Sequence, residues 1–180
     1  MTRKLVVPED VVAQPWRNGL GTRRVLLSTP EWRISLAEIE GRSAFSAFPG
    51  TDRLLVPLTA PGVMLQISGE QHDVAALSPI EFRGEDAVRA DAREHRIQVI
   101  NVMTTRSVAA RSHVIGTGAL APSTSPDAVV ILDGSVHLGP RVLTGGTLLL
   151  PAALRTAVFD PDATSLRLFL APRRGATPWV

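Results

Sequence analysis

Short apolar or alternating runs, bounded by Gly, Pro, Asp and Ser, recur along the whole chain, and helical periodicity is hard to find in it. The pattern predicts an all-β protein. In the first half the candidate strands include Val25–Leu27, Trp32–Ile39, Arg53–Leu58, Gly62–Ile67, His72–Leu77, Ile80–Phe82, Ala87–Ala92 and Ile97–Thr104. In the second half Arg111–Gly116, Ala128–Leu132, Val136–Leu138, Arg141–Leu143 and Leu166–Leu170 read the same way. The punctuation is that of tight turns, with Pro61-Gly62, Ser68-Gly69, Asp133-Gly134, Gly139-Pro140 and Gly145-Gly146 each suited to a hairpin. Many short strands joined by hairpins predict a sandwich or barrel.

The stretch from Gly116 to Pro126 is rich in small and turn-forming residues and is the one place where composition shifts. On either side of it, Gly62–Pro79 and Ala128–Pro151 each run as hairpin, turn, strand and proline, a faint internal duplication. Two fused double-stranded β-helix (jelly-roll-like) barrels would give this pattern. The boundary then falls at residue 115, with an N-terminal barrel at 1–115 and a C-terminal half at 116–180 packed as one compact unit.

A chain of 180 residues can bury one sizeable core or two small fused sheets. It has no Cys, which removes disulfides, thiolate metal sites and cysteine nucleophiles. No apolar run reaches the roughly 18 residues of a membrane helix, and the N-terminal apolar stretch before Glu9 and Asp10 is too short for a signal peptide. A cytoplasmic address and no membrane partner are expected. The pI of 10.3 suggests a nucleic-acid binder, but the net charge is only +2. With no Tyr or Cys and Lys4 as the one lysine, little titrates between the acids and the arginines, so a small excess raises the pI far. The arginines are interspersed with acids rather than clustered with aromatics, which argues against a nucleic-acid surface.

Barrels of this kind commonly hold a metal through a His-x-His pair, a following carboxylate and a later His. Here His72, His95, His113 and His137 never stand two apart, and no acid follows any of them at ligand spacing. Where a Pro-x-Gly-like turn recurs, Thr156 and Gly84 stand at the place of the later His. No metal and no cofactor are expected. No nucleophile and base pair is visible either, and Gly19-Leu20-Gly21 lacks the spacing of a phosphate-binding loop.

Four ordered blocks carry a resemblance: Pro15-Trp16-Arg17-Asn18-Gly19-Leu20-Gly21-Thr22, Trp32-Arg33-Ile34-Ser35-Leu36-Ala37, Phe45-Ser46-Ala47-Phe48-Pro49-Gly50-Thr51-Asp52-Arg53, and Phe82-Arg83-Gly84 followed by Asn101-Val102-Met103. Spanning residues 15 to 106, they resemble the HutD/Ves family. The resemblance implies a bicupin fold and a role in histidine utilisation, where members limit pathway activity by binding an intermediate such as formylglutamate, formiminoglutamate or urocanate. The Ves branch is described by a stress response instead. Two positions depart from the family pattern: Leu20 interrupts a run of glycines, and Val99 stands where many relatives carry an Asp.

Physical chemistry gives these residues a shared task. Trp16, Arg17 and Asn18 beside the Gly-rich turn offer an aromatic wall, a cation and an amide, although Trp16 could equally plug a barrel end. On the strand from Trp32, alternation puts Arg33 and Ser35 on one face, either inward, where a guanidinium would grip a carboxylate, or toward solvent. Phe45 and Phe48 cap the core from a loop, Asp52 pairs with Arg53, and Asn101 is an amide on an apolar strand that needs partners. Trp16, Arg17, Asn18, Arg33, Ser46, Arg53 and Asn101 are therefore expected to converge on one ligand pocket in the N-terminal half. The expected partner is a small anionic metabolite, with a homodimer left open. A metal-free binding regulator stands ahead of a metal-independent cupin-like isomerase, lyase or hydrolase, and of a stress-associated interaction protein.

Overall fold

The computed structural model describes residues 4–16, 21–107, 109–121 and 123–172. Strands make up 59% of the chain and helix 4%, so the all-β reading holds. The strands are β1 (Leu5–Val6), β2 (Gln14–Pro15), β3 (Gly21–Ser28), β4 (Trp32–Ala44), β5 (Thr51–Pro57), β6 (Val63–Ile67), β7 (Glu70–Val74), β8 (Ile80–Arg83) and β9 (Val88–Thr105). They continue as β10 (Ala109–Thr117), β11 (Ala128–Asp133), β12 (Val136–Leu138), β13 (Arg141–Leu143), β14 (Leu148–Leu149), β15 (Val158–Phe159) and β16 (Thr164–Pro172), with one short helix, α1 (Pro151–Leu154), after β14.

Two compact units divide the chain, one comprising residues 12–109 and the other residues 1–11 with 110–171. The first eleven residues, assigned from sequence to the N-terminal barrel, therefore go with the later part of the chain. The reason is pairing: Leu5 and Val6 lie opposite Leu149 and Leu148 as an added strand. In that unit a five-stranded sheet, β1-β14-β11-β16-β10, and a three-stranded sheet, β13-β12-β15, share a core of Val129, Ile131, Val136, Leu143, Leu149 and Phe159.

In the other unit a nearly closed barrel sheet runs β2-β3-β4-β9-β5-β8, with β6 and β7 attached to the first part of β9. The two runs Ala87–Ala92 and Ile97–Thr104, predicted as separate strands, are parts of the single strand β9. β4 pairs with both parts, from Thr104 to Arg96 and from Asp91 to Arg89, and a register shift between Glu40 and Arg42 leaves residues 92–95 of β9 outside that ladder. No helix among the described residues is long and apolar enough to cross a membrane.

Register sets what the barrel encloses. Moving along β4 and β9, the inward pairs are Ile39 with Ile97, Ala37 with Val99, Ser35 with Asn101 and Arg33 with Met103. One end of the interior is filled: Ile39, Ile97, Leu65 and Leu55 are fully buried and pack with Ala37 and Val99. From there the same face becomes polar, residue pair by residue pair, and that gradient makes a closed core at one end and a cavity at the other.

Candidate functional site

The cavity has a volume of about 650 Å³ and an open mouth. Cross-strand pairing explains its walls. Arg33 on β4 lies opposite Met103 on β9, which lies opposite Arg53 on β5, and Arg53 lies opposite Phe82 on β8. The next row inward is Ser35, Asn101 and Leu55, and the row after it holds Arg23, Ala37 and Val99. Side chains in successive rows point the same way because strand side chains alternate with period two.

The remaining wall is aromatic and comes from the loop between β4 and β5. Phe45, Ser46 and Phe48 line the cavity together with Trp16. Trp16 meets Phe45 edge-on with ring centroids 6.0 Å apart, so the Trp packs against the core while one side faces the cavity. Two glycines hold this wall in place. At Gly21 a Cβ would come within 2.2 Å of the Glu38 carbonyl oxygen and 3.3 Å of the Trp16 ring. At Gly84 a Cβ would lie 2.1 Å from both the Phe48 carbonyl oxygen and Thr51 Oγ1. The Gly84 backbone N–H donates to the Thr51 carbonyl at 2.8 Å, and its own carbonyl accepts from Phe48 N–H at 2.6 Å. The Phe-x-Gly motif thus fixes the position of the Phe45–Phe48 loop.

Arg53 is the most constrained group of the site. It is 4% exposed, and its guanidinium sits 4.9 Å from the ring centroids of Phe45 and Phe82 and 5.9 Å from that of Phe48. Its Nη1 donates to the Ser46 carbonyl at a long 3.4 Å, and its Nε is buried without any partner. Burial, and then the neighbouring Arg33, push its pKa down to about 10. Arg33 stacks on Phe48 at 5.0 Å and donates from Nη2 to the Met103 thioether at 2.8 Å, a weak acceptor for so strong a donor. Its pKa is lowered as well, first by burial and then by Arg23. Asn101 Oδ1 is buried and unpartnered, while its backbone carbonyl accepts from Ser35 Oγ at 3.4 Å.

Of the seven residues expected to converge, Trp16, Arg33, Ser46, Arg53 and Asn101 do line this one cavity, and Arg17 and Asn18 lie outside the described residues. The choice between inward and solvent-facing for Arg33 and Ser35 resolves to inward. Arg23 was not anticipated. It faces inward because it pairs with Ala37, in a part of β3 that precedes Val25, where the predicted strand began. Asp52 was expected to pair with Arg53, but neighbours on a strand point to opposite faces, and Asp52 binds Arg106 at 2.9 Å. Arg106 also holds Glu85 at 2.5 Å and the Thr51 carbonyl at 2.7 Å, which ties the strand ends together. No group of three or more His, Asp or Glu side chains among the described residues is arranged to hold a metal ion.

A cupin-like barrel with an arginine-lined, aromatic-walled cavity is what fold and site together define. The chain belongs to the HutD family, whose model matches residues 8–164. It is 30% identical over 138 residues to Protein Ves of Citrobacter koseri, covering 72% of each chain, and 29% identical over 138 residues to Protein Ves of Escherichia fergusonii, again 72% of each. In fold it matches HutD from Pseudomonas fluorescens SBW25 with a TM-score of 0.76 at 21% identity, covering 94% of this chain and 98% of that one. A conserved protein of unknown function from Pseudomonas aeruginosa PAO1 matches with the same TM-score and coverage at 18% identity.

Proposed function

We propose that the chain is a binding protein for a small carboxylate, a regulator of histidine utilisation that senses a pathway intermediate such as formylglutamate, formiminoglutamate or urocanate. The observation that carries this reading is Arg53: a buried guanidinium with an unpaired Nε and no carboxylate on it among the described residues. A buried charge without a counter-charge is costly, and an incoming carboxylate matches the two-donor fork of the guanidinium. Arg33 provides a second cation, Asn101 Oδ1 accepts from an amide or imine N–H, and Phe48 and Trp16 flank a planar group. The described walls of the cavity contain no Asp, Glu, His or Lys that could serve as general base, which favours binding over catalysis. We also take the two units as the two cupin-like halves of a bicupin, in line with the second unit's pair of β-sheets around one core.

A thermal-shift screen of the three intermediates tests the function. Binding to the folded form raises the melting temperature by mass action. At least one of the three is expected to do so in the wild type and to lose the effect in Arg53→Ala. No shift from any of them at millimolar concentration overturns the reading.

A further inference from the structure

The aromatic wall hangs on the loop from Phe45 to Gly50, and Arg106, which is not part of the cavity's lining, grips the far end of that loop. At the near end the Phe45 N–H donates to the Val88 carbonyl at 2.9 Å. Between the ends, Ser46 and Ala47 are exposed, and Arg53 reaches the Ser46 carbonyl only at a long 3.4 Å. At the far end the Arg106 backbone N–H donates to the Gly50 carbonyl at 2.9 Å. Its side chain adds three bonds, from Nη1 to the Thr51 carbonyl at 2.7 Å and to Asp52 Oδ1 at 2.9 Å, and from Nη2 to Glu85 Oε1 at 2.5 Å.

One guanidinium thus joins the exit of the loop to the residue that follows Gly84. Phe48 depends on that junction. The Thr51 carbonyl accepts from Gly84 N–H as well as from Arg106, the Gly84 carbonyl accepts from Phe48 N–H at 2.6 Å, and Thr51 Oγ1 donates back to the Phe48 carbonyl at 2.8 Å. The side chains of Arg106, Asp52 and Glu85 are 27%, 43% and 40% exposed, and ion pairs this open add little to global stability. Their effect is on geometry, because a planar guanidinium fork sets the separation of the carboxylates and the carbonyl it binds. What they place is the Phe48 ring, whose centroid lies 5.0 Å from the Arg33 guanidinium and 5.9 Å from that of Arg53.

We propose that Arg106 is a positioning residue of the site: from outside the cavity, bridging Asp52 and Glu85, it clamps the Phe45–Gly50 loop and so sets Phe48 against the two cations. Its effect on affinity rests on the carboxylate-binding reading above; the clamp itself does not.

Amide hydrogen exchange of the unliganded protein, read residue by residue by NMR, tests the clamp. In Arg106→Met the Phe48 and Gly84 amides are expected to exchange about tenfold faster than in the wild type, while those of the fully buried pair Leu54 and Val102 keep their rates. Should Arg106→Met fail to fold, Glu85→Gln loosens the same clamp from its other side and is read in the same way. Unchanged exchange at Phe48 and Gly84 overturns the proposal, and so does an equal acceleration at all four amides, which makes Arg106 a general stabiliser. Calorimetry with N-formyl-L-glutamate then tests the route to the site. Arg106→Met and Phe48→Ala are each expected to weaken binding about fivefold, and the double variant no more than Phe48→Ala alone, since the two changes act through one ring. Losses that multiply overturn action through Phe48. If the wild type binds none of this ligand, the carboxylate reading loses its support and the exchange rates alone decide whether Arg106 is the clamp.

Discussion

Arg53 lies among three phenylalanine rings with its Nε unpaired, and a pKa depressed to about 10 means that charging it costs roughly 3 kcal/mol more in the fold than in water. Because the folded pKa lies below the ordinary guanidinium range, this cost is present at every pH below about 10. It is relieved as pH rises through that value, so Arg53 contributes increasing stability on the alkaline side. Carboxylate binding needs the charged form. Affinity is therefore expected to stay level from neutral pH to about 9 and to fall as pH passes about 10, measurable by calorimetry across that range. Arg33 is more open and keeps one weak partner in Met103, so Arg33→Ala is expected to weaken carboxylate binding by about 1.5–3 kcal/mol with little effect on melting temperature. An unchanged affinity would remove Arg33 from the site. At this scale sequence disclosed residue types better than partners. Arg33, Arg53 and Asn101 stood out as charges and an amide on apolar strands, whereas Asp52 was matched to its sequence neighbour because Arg106, which binds it, is 54 residues away.

The loop between β4 and β5 brings Phe45 and Phe48 to the cavity because β8 is followed by Gly84, where the two backbones exchange hydrogen bonds at contact distance. Gly84→Ala forces backbone apart from backbone, a strain of about 1–3 kcal/mol. The variant is expected to melt several degrees lower and to bind carboxylate at least tenfold more weakly, because the aromatic wall moves. A variant with wild-type melting and affinity would show that the loop is placed by other contacts. Strand positions were largely legible, since alternation is a local property of the chain. Register was not. Which face of β4 turns inward is decided by pairing with β9 and β5, and the reach of β9 through Arg96 depends on its ladder with β4 rather than on its own apolarity. The two-residue strand β1 was missed for the same reason, because its partner β14 is some 140 residues further on.

Taken whole, the chain carries its four histidines on separate elements, His72 on β7, His95 on β9, His113 on β10 and His137 on β12, and no three-residue acid or histidine cluster that could hold a metal is found among the described residues. The purified protein is expected to contain less than stoichiometric transition metal by elemental analysis and to keep its melting temperature in chelator; a stoichiometric zinc, manganese or iron signal would contradict this. Folding and binding are coupled through the same cation, and this coupling is the most direct test of the account. Arg53→Met keeps the volume and removes the charge, and replacing an unpaired buried charge by an apolar group of similar size is neutral or stabilising. In thermal melts at neutral pH, unliganded Arg53→Met is predicted to melt at or a few degrees above the wild type. Added N-formyl-L-glutamate is predicted to raise the melting temperature of the wild type alone. An Arg53→Met protein that melts well below the wild type without ligand, or that gains the same increment from ligand, would show that Arg53 is a structural residue and not the anchor of a carboxylate site.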